Sequence, residues 1–378
     1  MSAAPRVLFA GGGTGGHLYP ALALADALAA ERPGTACHFV GARRGVEARV
    51  LPQRGVPHTL LDLRPIHRDR VWRNVTLPFA MGRALVGLNT LFRDFCPSLV
   101  VGTGGYASGP AGAWAVLRGV PLALQEQNSW PGFTTRMLSR RARQVHLGFP
   151  EAEKHLSPGE RTEVLALGNP IAPPDRSLDR AACRRDFDIP VDATVVLVIG
   201  GSQGARSINE KLLEAVRDVS GGRLAFRRGE LYLVWATGPA HIHGVQQALE
   251  PLDAPWVRPI GYIENMPRAL AAADLAVSRA GAMGTAELEA WGIPMILVPL
   301  PTAAADHQTH NARALEEAGA AVMLTERELT AERLWSALTD LAGDAERRTS
   351  MAAAARQRAR PDAARQIARR FLELVDAP

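Results

Sequence analysis

Short apolar runs alternate with longer segments of helical periodicity along the whole chain. Residues 195–199, for example, are apolar throughout, as is typical of a parallel strand buried on both faces of its sheet. Regular alternation of strands and helices favours an α/β fold built on parallel sheets. The pattern predicts helices at residues 18–30, 75–95 and 361–375. It predicts strands at residues 6–10, 36–40, 59–63, 98–101, 121–124, 144–149, 194–199, 231–236, 256–259, 275–278, 295–299 and 321–324.

A break in this pattern between residues 168 and 190 divides the chain into two halves, because Asn-Pro and Pro-Pro dipeptides there interrupt regular structure. In each half the first strand runs into a glycine-rich loop and then a helix, with GGGTGGH at residues 11–17 and GGSQGA at residues 200–205. The sequence therefore predicts two doubly wound domains with ligands at the carboxyl ends of their strands. The first comprises residues 1–170, completed by a C-terminal helix in 361–378, and the second comprises residues 171–360.

The length of 378 residues suits about two domains, and 47% apolar with 21% charged residues is an ordinary globular composition. The three cysteines, Cys37, Cys96 and Cys183, are too few and too scattered for a disulfide framework or a metal knuckle, which favours a reducing compartment. No segment approaches the roughly 20 apolar residues of a membrane-spanning helix, and the N-terminus shows no signal segment. We therefore expect a cytoplasmic protein.

The net charge of +5 and the pI near 9.5 suit an anionic partner, such as phosphates, a nucleic acid or an anionic membrane surface. The chain lacks an aromatic-interleaved nucleic-acid motif, so we expect no nucleic-acid partner. Residues 64–93 carry six arginines against one acid, interleaved with large apolar side chains. This composition predicts adsorption to an anionic membrane leaflet through Trp72, Arg73, Phe79 and Arg83. The alternative is a helix packed partly in the core with a charged outer face.

Glycine-rich loops between a strand and a helix let the backbone approach a phosphate, and the helix start favours negative charge. The loop at residues 11–16 contains the G-x-G-x-x-G pattern of dinucleotide sites, but the second predicted strand lacks the acidic residue that would bind a ribose. Two further glycine-rich segments, residues 102–110 and 278–287, follow predicted strands, and the polar residues 125–128 follow another. These segments together predict a ligand-binding cleft.

Seven ordered motifs carry a specific resemblance. They are GGTGGH at 12–17, GGYASGP at 104–110, EQN at 126–128, GNP at 168–170, GGSQGA at 200–205, SRAGA at 278–282 and DHQTHNA at 306–312. The set resembles the MurG family of peptidoglycan N-acetylglucosaminyltransferases over nearly the whole chain. The resemblance implies the glycosyltransferase B fold, with two Rossmann-like doubly wound parallel-sheet domains facing across a cleft.

The same resemblance implies an activity and a location. The reaction would be inverting transfer of N-acetylglucosamine from UDP-N-acetylglucosamine to the 4-hydroxyl of the muramyl sugar of lipid I, giving lipid II and UDP in peptidoglycan synthesis. The first domain would take the lipid-linked acceptor and the second the nucleotide sugar. The enzyme would work at the cytoplasmic face of the cell membrane, as a peripheral protein.

Roles for individual residues also follow from the resemblance. From the first domain, the donor sugar or its diphosphate would be approached by Thr14, Gly15, Gly16 and Asn128, and in the second domain the diphosphate would be bound by Ser202, Gln203 and Gly204. Ile263 would contact the uracil, Glu287 the ribose and Gln308 the sugar. The nucleotide sugar would be surrounded by Ala282, Met283, Gly284, Thr285 and Ala286. The acceptor would be bound by Gly104, Gly105, Tyr106 and Ser108.

An inverting reaction needs a general base for the acceptor hydroxyl, and the first candidate is His17, followed by Glu126. A helix start disfavours an imidazolium, so we expect His17 to stay neutral and able to accept a proton. The alternatives are that His17 simply begins a helix and that Glu126 is an exposed loop acid. This chain has Gln125 where the family usually has histidine, so that position cannot supply the base. Ala172 and Gly284 also depart from the family pattern.

We expect no cofactor and no dedicated metal site, although magnesium could bind loosely to the diphosphate. Asp186-Phe187-Asp188 matches a paired-carboxylate metal motif, but it lies away from the predicted loops and is interpreted as a solvated turn. His241 and His243 have no carboxylate or cysteine nearby in the sequence to complete a metal site.

Three other functions stay open at this point. Another glycosyltransferase B enzyme could move a UDP-sugar to a lipid acceptor such as diacylglycerol. A nicotinamide-dependent oxidoreductase is disfavoured by the missing ribose acid and by the second glycine loop. A non-catalytic sensor would bind UDP-N-acetylglucosamine and show no turnover with any lipid acceptor.

Overall fold

Two parallel β-sheets with flanking helices organise the chain. The computed structural model describes residues 4–63, 77–201, 203–225 and 231–377, and for residues 77–80 it describes the backbone only. The chain divides into two compact units, one of Met1–Ala172 with Arg360–Pro378 and the other of Pro173–Ala359. The sequence predicts these divisions after residues 170 and 360.

The first unit contains a seven-stranded parallel sheet. Its elements are β1 (Arg6–Gly11), α1 (Gly15–Glu31), β2 (Ala36–Ala42), α2 (Glu47–Gln53), β3 (His58–Leu61), α3 (Leu77–Phe95), β4 (Leu99–Gly104), α4 (Gly105–Leu117), β5 (Leu122–Glu126), α5 (Phe133–Leu138), β6 (Gln144–Leu147), β7 (Glu163–Leu165) and the last helix, α14 (Ala363–Asp376). The strand order is β3-β2-β1-β4-β5-β6-β7. The order reverses between β1 and β4, and open α/β sheets bind ligands at such a switch point, at the carboxyl ends of the strands.

The second unit contains a six-stranded parallel sheet. Its elements are α6 (Arg180–Arg185), β8 (Thr194–Ile199), α7 (Arg206–Ser220), β9 (Leu231–Ala236), α8 (Ile242–Leu249), β10 (Val257–Ile260), α9 (Met266–Ala272), β11 (Leu275–Ser278), α10 (Ala282–Trp291), β12 (Met295–Leu297), α11 (His307–Glu317), β13 (Ala321–Met323), α12 (Ala331–Gly343) and α13 (Ala345–Arg358). The strand order is β10-β9-β8-β11-β12-β13. Its switch point lies between β8 and β11.

The final helix of the chain packs on the first sheet, beside α1. Leu28 of α1 and Phe371 of α14 lie in one buried cluster, and Arg369 of α14 donates to the Glu31 carboxylate at 2.7 Å. The ring of His146 in β6 meets Phe371 edge-on, with the ring centroids 5.1 Å apart. Complete burial lowers the pKa of His146 to about 3, so this ring is neutral near pH 7 and acts as a packing group. These contacts explain why the end of the chain belongs to the first unit.

All twelve predicted strands are present within a few residues of their expected bounds, and the described residues contain one more, β7. This strand has only three residues at the edge of the sheet, too few to give a pattern. The predicted ends of β4 and β5 were wrong. Gly104 pairs with Gly11 of β1, and Glu126 pairs with Leu147 of β6, so residues expected in loops are the last residues of strands.

The α/β class and the two doubly wound parallel sheets are confirmed. The predicted helix at residues 75–95 corresponds to α3, which begins at Leu77 in the described part of the chain. Among the residues described, no helix is both long and apolar enough to cross a membrane.

Candidate active site

His17 is the third residue of α1, at the switch point of the first sheet. Its Nδ1 lies 3.2 Å from the carbonyl oxygen of Gly12 and 3.3 Å from Oγ1 of Thr14. A carbonyl oxygen can only accept a hydrogen bond, so Nδ1 carries the hydrogen in this contact. The neutral ring then has its basic lone pair on Nε2, which is the nitrogen that a general base would use.

Gly104 and Gly105 make room for the His17 ring. A Cβ added to Gly104 would lie 2.6 Å from Cδ2 of His17, and one added to Gly105 would lie 2.0 Å from the carbonyl oxygen of Gly12. Both glycines also have positive φ angles, of 100° and 75°, which side chains disfavour. The structure therefore gives these two predicted acceptor residues a further task, which is to let the backbone of β4 and α4 approach the candidate base.

The other predicted residues near this loop differ in accessibility. Thr14 and Gly16 are exposed at the start of α1, and Gly15 between them is half-buried. Tyr106 is half-buried and packs on the backbone of Gly13, and burial, with the nearby charge of Glu47, raises the pKa of its phenol.

Ser108 lies beneath the loop and not on its surface. Ser108 is only 1% exposed, and its hydroxyl accepts a hydrogen bond from the backbone N–H of Gly104 at 3.4 Å. A Cβ at Gly102 would lie 2.5 Å from the same hydroxyl oxygen. Ser108 therefore supports the backbone of Gly104. Because its side chain is buried, it is not exposed for the predicted contact with an acceptor.

Glu126 is buried, so the interpretation of this residue as an exposed loop acid was wrong. Its Oε1 accepts from the backbone N–H of Asn128 at 3.1 Å and from the Asn128 side-chain amide at 3.3 Å. Its Oε2 accepts from the backbone N–H of Gly132 at 3.0 Å. Both carboxylate oxygens therefore hold the loop after β5, which favours His17 over Glu126 as the base. Asn128 is half-buried in this loop.

Buried amides connect the ends of the neighbouring strands. Gln125 is completely buried and donates to the Asn169 side-chain oxygen at 3.2 Å. Asn169 donates to the carbonyl oxygen of Gln127 at 3.0 Å, and the Gln127 amide donates to the carbonyl oxygen of Thr103 at 2.9 Å. The departure from histidine at Gln125 is therefore accommodated inside the protein, away from any surface where a substrate could bind.

The glycine loop of the second unit packs directly on the backbone that follows β9. A Cβ on Gly204 would lie 1.9 Å from the carbonyl oxygen of Thr237, and one on Gly238 would lie 2.2 Å from that of Gln203. The N–H of Gly204 donates to the carbonyl oxygen of Gly201 at 2.9 Å, so it closes the turn and does not offer the expected donor to a diphosphate. Gln203 is exposed, and Ser202 lies outside the described residues.

Glu287 lies in the second turn of α10 and is half-buried. Burial raises the pKa of its carboxyl group, as expected for an acid without a nearby cation. Among the described residues it has neither a hydrogen bond nor an ion pair within the protein. A carboxylate in this position can accept hydrogen bonds from ligand hydroxyls.

The rest of the predicted nucleotide-sugar segment has mixed surroundings. Met283 and Ala286 are half-buried, and Ala282 is 8% exposed. Thr285 is completely buried and donates to the carbonyl oxygen of Gly281 at 3.1 Å, so its side chain is used inside the helix. A Cβ at Gly284 would meet no atom within 4 Å, so the missing side chain leaves open space at that position.

Ile263 and Gln308 complete the predicted donor contacts. The Ile263 side chain is buried, which leaves its backbone as the group for the expected uracil contact. The Gln308 side-chain oxygen accepts from the backbone N–H of Leu300 at 3.0 Å, which orients the amide so that its NH₂ group can donate. Ala305 and Asp306, just before α11, have φ angles of 53° and 54°, a strained conformation that clusters at functional sites.

Sequence reasoning missed two residues that organise these loops. The Arg279 guanidinium donates to the carbonyl oxygens of Val298 and Pro299 at 3.1 Å and to Glu326 at 2.6 Å, and so ties the ends of β11 and β12 together. Glu47 accepts from the backbone N–H of Gly13 at 2.8 Å. The signal for Arg279 was its position directly after a strand, whereas Glu47 follows an ordinary turn and gave none.

Two cavities lie away from these residues. One, of about 470 Å³, is lined by residues such as Asp274 and Pro294 that precede strands of the second sheet. The other, of about 840 Å³, is lined by residues such as Pro121 and Arg143 that precede strands of the first. Both are at the amino ends of strands, opposite the predicted loops. Within the described ranges no cluster of three or more His, Cys, Asp or Glu side chains could hold a metal ion.

The fold and the glycine loops define a glycosyltransferase of the B fold. Residues 7–147 match the model of the glycosyltransferase family 28 N-terminal domain, and residues 195–367 match that of the family 28 C-terminal domain. The chain belongs to glycosyltransferase family 28.

Relatives match nearly the whole chain. A protein of Salinibacter ruber named UDP-N-acetylglucosamine--N-acetylmuramyl-(pentapeptide) pyrophosphoryl-undecaprenol N-acetylglucosamine transferase is 45% identical over 99% of this chain and 98% of its own length. A protein of Chlorobaculum parvum with the same name is 42% identical over 98% of this chain and 99% of its own. The crystal structure of Acinetobacter baumannii MurG is 30% identical, with a TM-score of 0.77 and coverage of 98% of this chain and 99% of that one. The predicted resemblance to the MurG family is confirmed.

Replacing Glu287 with alanine is predicted to weaken UDP-N-acetylglucosamine binding by about 1–3 kcal/mol, because a hydrogen bond to a charged group is lost. Wild-type affinity should also fall on acidification, starting at a higher pH than for an ordinary glutamate, because its raised pKa brings protonation earlier and only the carboxylate accepts two hydroxyls. Calorimetry at several pH values measures both effects. The control is Glu289→Gln on the same helix, whose carboxylate pairs with Arg358 at 3.1 Å. A folded Glu287→Ala protein with unchanged affinity would refute the assignment.

Proposed function

We propose that this chain transfers N-acetylglucosamine from UDP-N-acetylglucosamine to the 4-hydroxyl of the muramyl sugar of lipid I, giving lipid II and UDP in peptidoglycan synthesis. The observation that carries the proposal is the identity along nearly the full length with relatives named for this transfer. The position of His17 at the switch point of the first sheet, with Nδ1 on a backbone carbonyl oxygen, supports it, since that is where an α/β fold binds its ligands.

The chemistry is a single displacement at the anomeric carbon of the donor sugar. His17 Nε2 takes the proton of the acceptor hydroxyl while the oxygen forms the new glycosidic bond. The bond to UDP breaks on the opposite face, so the configuration inverts and UDP leaves with the electron pair. A covalent enzyme intermediate is not required, and the protein contributes a base and stabilisation of the leaving diphosphate.

The second unit binds the nucleotide sugar in this proposal. The start of α7 faces the diphosphate charge, with Ser202 and the backbone of Gln203 as donors. Glu287 accepts hydrogen bonds from the ribose hydroxyls, and the oriented NH₂ group of Gln308 donates to the sugar. We propose no cofactor and no dedicated metal site, with magnesium bound only loosely by the diphosphate.

Replacing His17 with alanine should lower turnover roughly 100-fold or more, the usual scale for loss of a general base, with little change in donor affinity. Steady-state kinetics with saturating donor, combined with donor calorimetry, separates the two quantities. The matched control is His58→Ala, because that ring also donates from Nδ1 to a carbonyl oxygen, of Val56 at 2.8 Å, but lies at the start of β3. A His17 variant that keeps most of its turnover would move the base role to Glu126.

A radiolabelled-donor assay tests the acceptor class directly. We expect label from UDP-N-acetylglucosamine to enter lipid I and not diacylglycerol, in equal amounts of detergent micelles. Labelled diacylglycerol would identify the other lipid glycosyltransferase, and donor binding without transfer to either lipid would identify a sensor. Either result would contradict the proposed reaction.

Attachment to the anionic cytoplasmic leaflet completes the proposal, because the polyprenyl chain of lipid I stays in the bilayer. Trp72 and Arg73 lie outside the described residues, as does the side chain of Phe79. Arg83 is exposed, but its guanidinium pairs with Asp62 at 2.8 Å, so part of its charge is already compensated. The proposal therefore depends mainly on the arginine-rich and aromatic composition of residues 64–93.

Vesicle co-sedimentation tests this attachment. The wild type should bind anionic vesicles, dissociate as salt rises past about 0.5 M, and bind neutral vesicles poorly, because screening weakens charge attraction. The double variant Trp72→Ala, Phe79→Ala should bind vesicles more weakly and keep its affinity for the soluble donor. Val191→Ala, which shortens an exposed apolar side chain of the second unit, is the control. If the double variant sediments like the wild type, these aromatic side chains do not insert.

A further inference from the structure

A buried carboxylate lies against the glycine loop that precedes His17. Glu47 is the first residue of α2 and is completely buried. Its Oε1 accepts from the backbone N–H of Ala42 at 2.9 Å, and its Oε2 accepts from that of Gly13 at 2.8 Å. One side chain therefore joins the end of β2 to the loop that follows β1. Among the described residues no cation lies within ion-pair distance of Glu47, so the carboxylate is stabilised by these two backbone N–H groups.

Three glycines leave the space that the Glu47 side chain fills. A Cβ added to Gly12, Gly41 or Gly45 would lie 2.3, 2.5 or 2.1 Å from atoms of this side chain. These glycines come from the loop after β1, from β2 and from the turn before α2. A carboxylate enclosed on three sides by backbone has little freedom to move, so its hydrogen bonds fix the position of the groups that it contacts.

The hydrogen bond from Gly13 connects Glu47 to His17 through one peptide group. The N–H of Gly13 and the carbonyl of Gly12 belong to the same planar trans peptide and point in opposite directions. When Glu47 holds the N–H on one side, the carbonyl oxygen is directed to the other, where it lies 3.2 Å from His17 Nδ1. Charge on the acceptor also polarises the peptide and strengthens the bond that its carbonyl oxygen accepts.

We propose that Glu47 is a positioning residue that acts through the Gly12–Gly13 peptide to hold His17 with its hydrogen on Nδ1 and its basic lone pair on Nε2. Its catalytic meaning depends on the proposed function, in which Nε2 is the base. Nothing in the sequence pattern separates this glutamate from a surface acid at a helix start. The role follows from the three hydrogen-bonded groups in series, which are a carboxylate, a peptide and an imidazole.

Nitrogen-15 NMR of histidine-labelled protein tests the link without using activity. At a pH where the ring is neutral, the wild-type His17 signal, assigned by comparison with His17→Ala, should show hydrogen on Nδ1. Glu47→Gln puts an NH₂ group where a carboxylate oxygen accepts from an N–H, so one of the two backbone bonds is lost. We expect a mixture of His17 tautomers in this variant. Its kcat should fall about 10- to 100-fold, with donor KM within about twofold, because the base is misplaced.

The control is Glu31→Gln, on the same helix as His17, whose carboxylate accepts from Arg369 at 2.7 Å. It should change neither the tautomer nor kcat. If Glu47→Gln does not fold, Gly45→Ala keeps the charge but displaces the carboxylate, and it should shift the tautomer in the same way. A wild-type His17 with hydrogen on Nε2, or a folded Glu47 variant with the wild-type tautomer and kcat, would overturn the proposal. Full turnover of His17→Ala would instead refute the base role, and the tautomer measurement would still test the link.

Discussion

The arrangement around the candidate base depends on a close contact between two backbones, the carbonyl of Gly12 and the start of α4 at Gly105. A side chain at Gly105 would begin 2.0 Å from that carbonyl oxygen, so only glycine permits the contact. The register of β1 against β4 shifts between Ala10 and Gly11, which brings Gly104 opposite Gly11. Gly104 then packs on the His17 ring. Ring, carbonyl and helix start share one small space, so a change in any one of them displaces the others.

The second unit repeats the sheet topology of the first but not these contacts. Its glycine loop packs on the backbone after β9, through Gly204 and Gly238. On the other side of β8, the guanidinium of Arg279 bonds the carbonyl oxygens that follow β12. In the second unit a charged side chain thus joins the ends of two neighbouring strands. The likeness of the two glycine loops in the sequence does not, for this reason, transfer a residue's role from one unit to the other.

Most strands could be predicted because a parallel strand buried on both faces is a continuous apolar run, as in β8. The predicted ends of β4 and β5 were wrong because the strand pairing continues through Gly104 and Glu126, residue types that give no strand signal. His17 could be found because its motif is local. Glu47 could not, because the loop of Gly12 and Gly13 that it contacts is distant in the chain and meets this carboxylate only after folding.

Three glutamates near these loops show why surroundings, and not residue type, decide their roles. Glu47 and Glu126 are buried, and each accepts hydrogen bonds from backbone N–H groups through both oxygens. Glu287 accepts none from the described residues, and burial raises the pKa of its carboxyl group. A desolvated carboxylate without internal donors gains most when a ligand supplies hydroxyl groups. If Glu126 took a substrate proton, the N–H groups of Asn128 and Gly132 would lose a charged acceptor, so catalysis there would loosen the loop. His17 has no such conflict, because the hydrogen bond that orients it uses the other nitrogen of the ring.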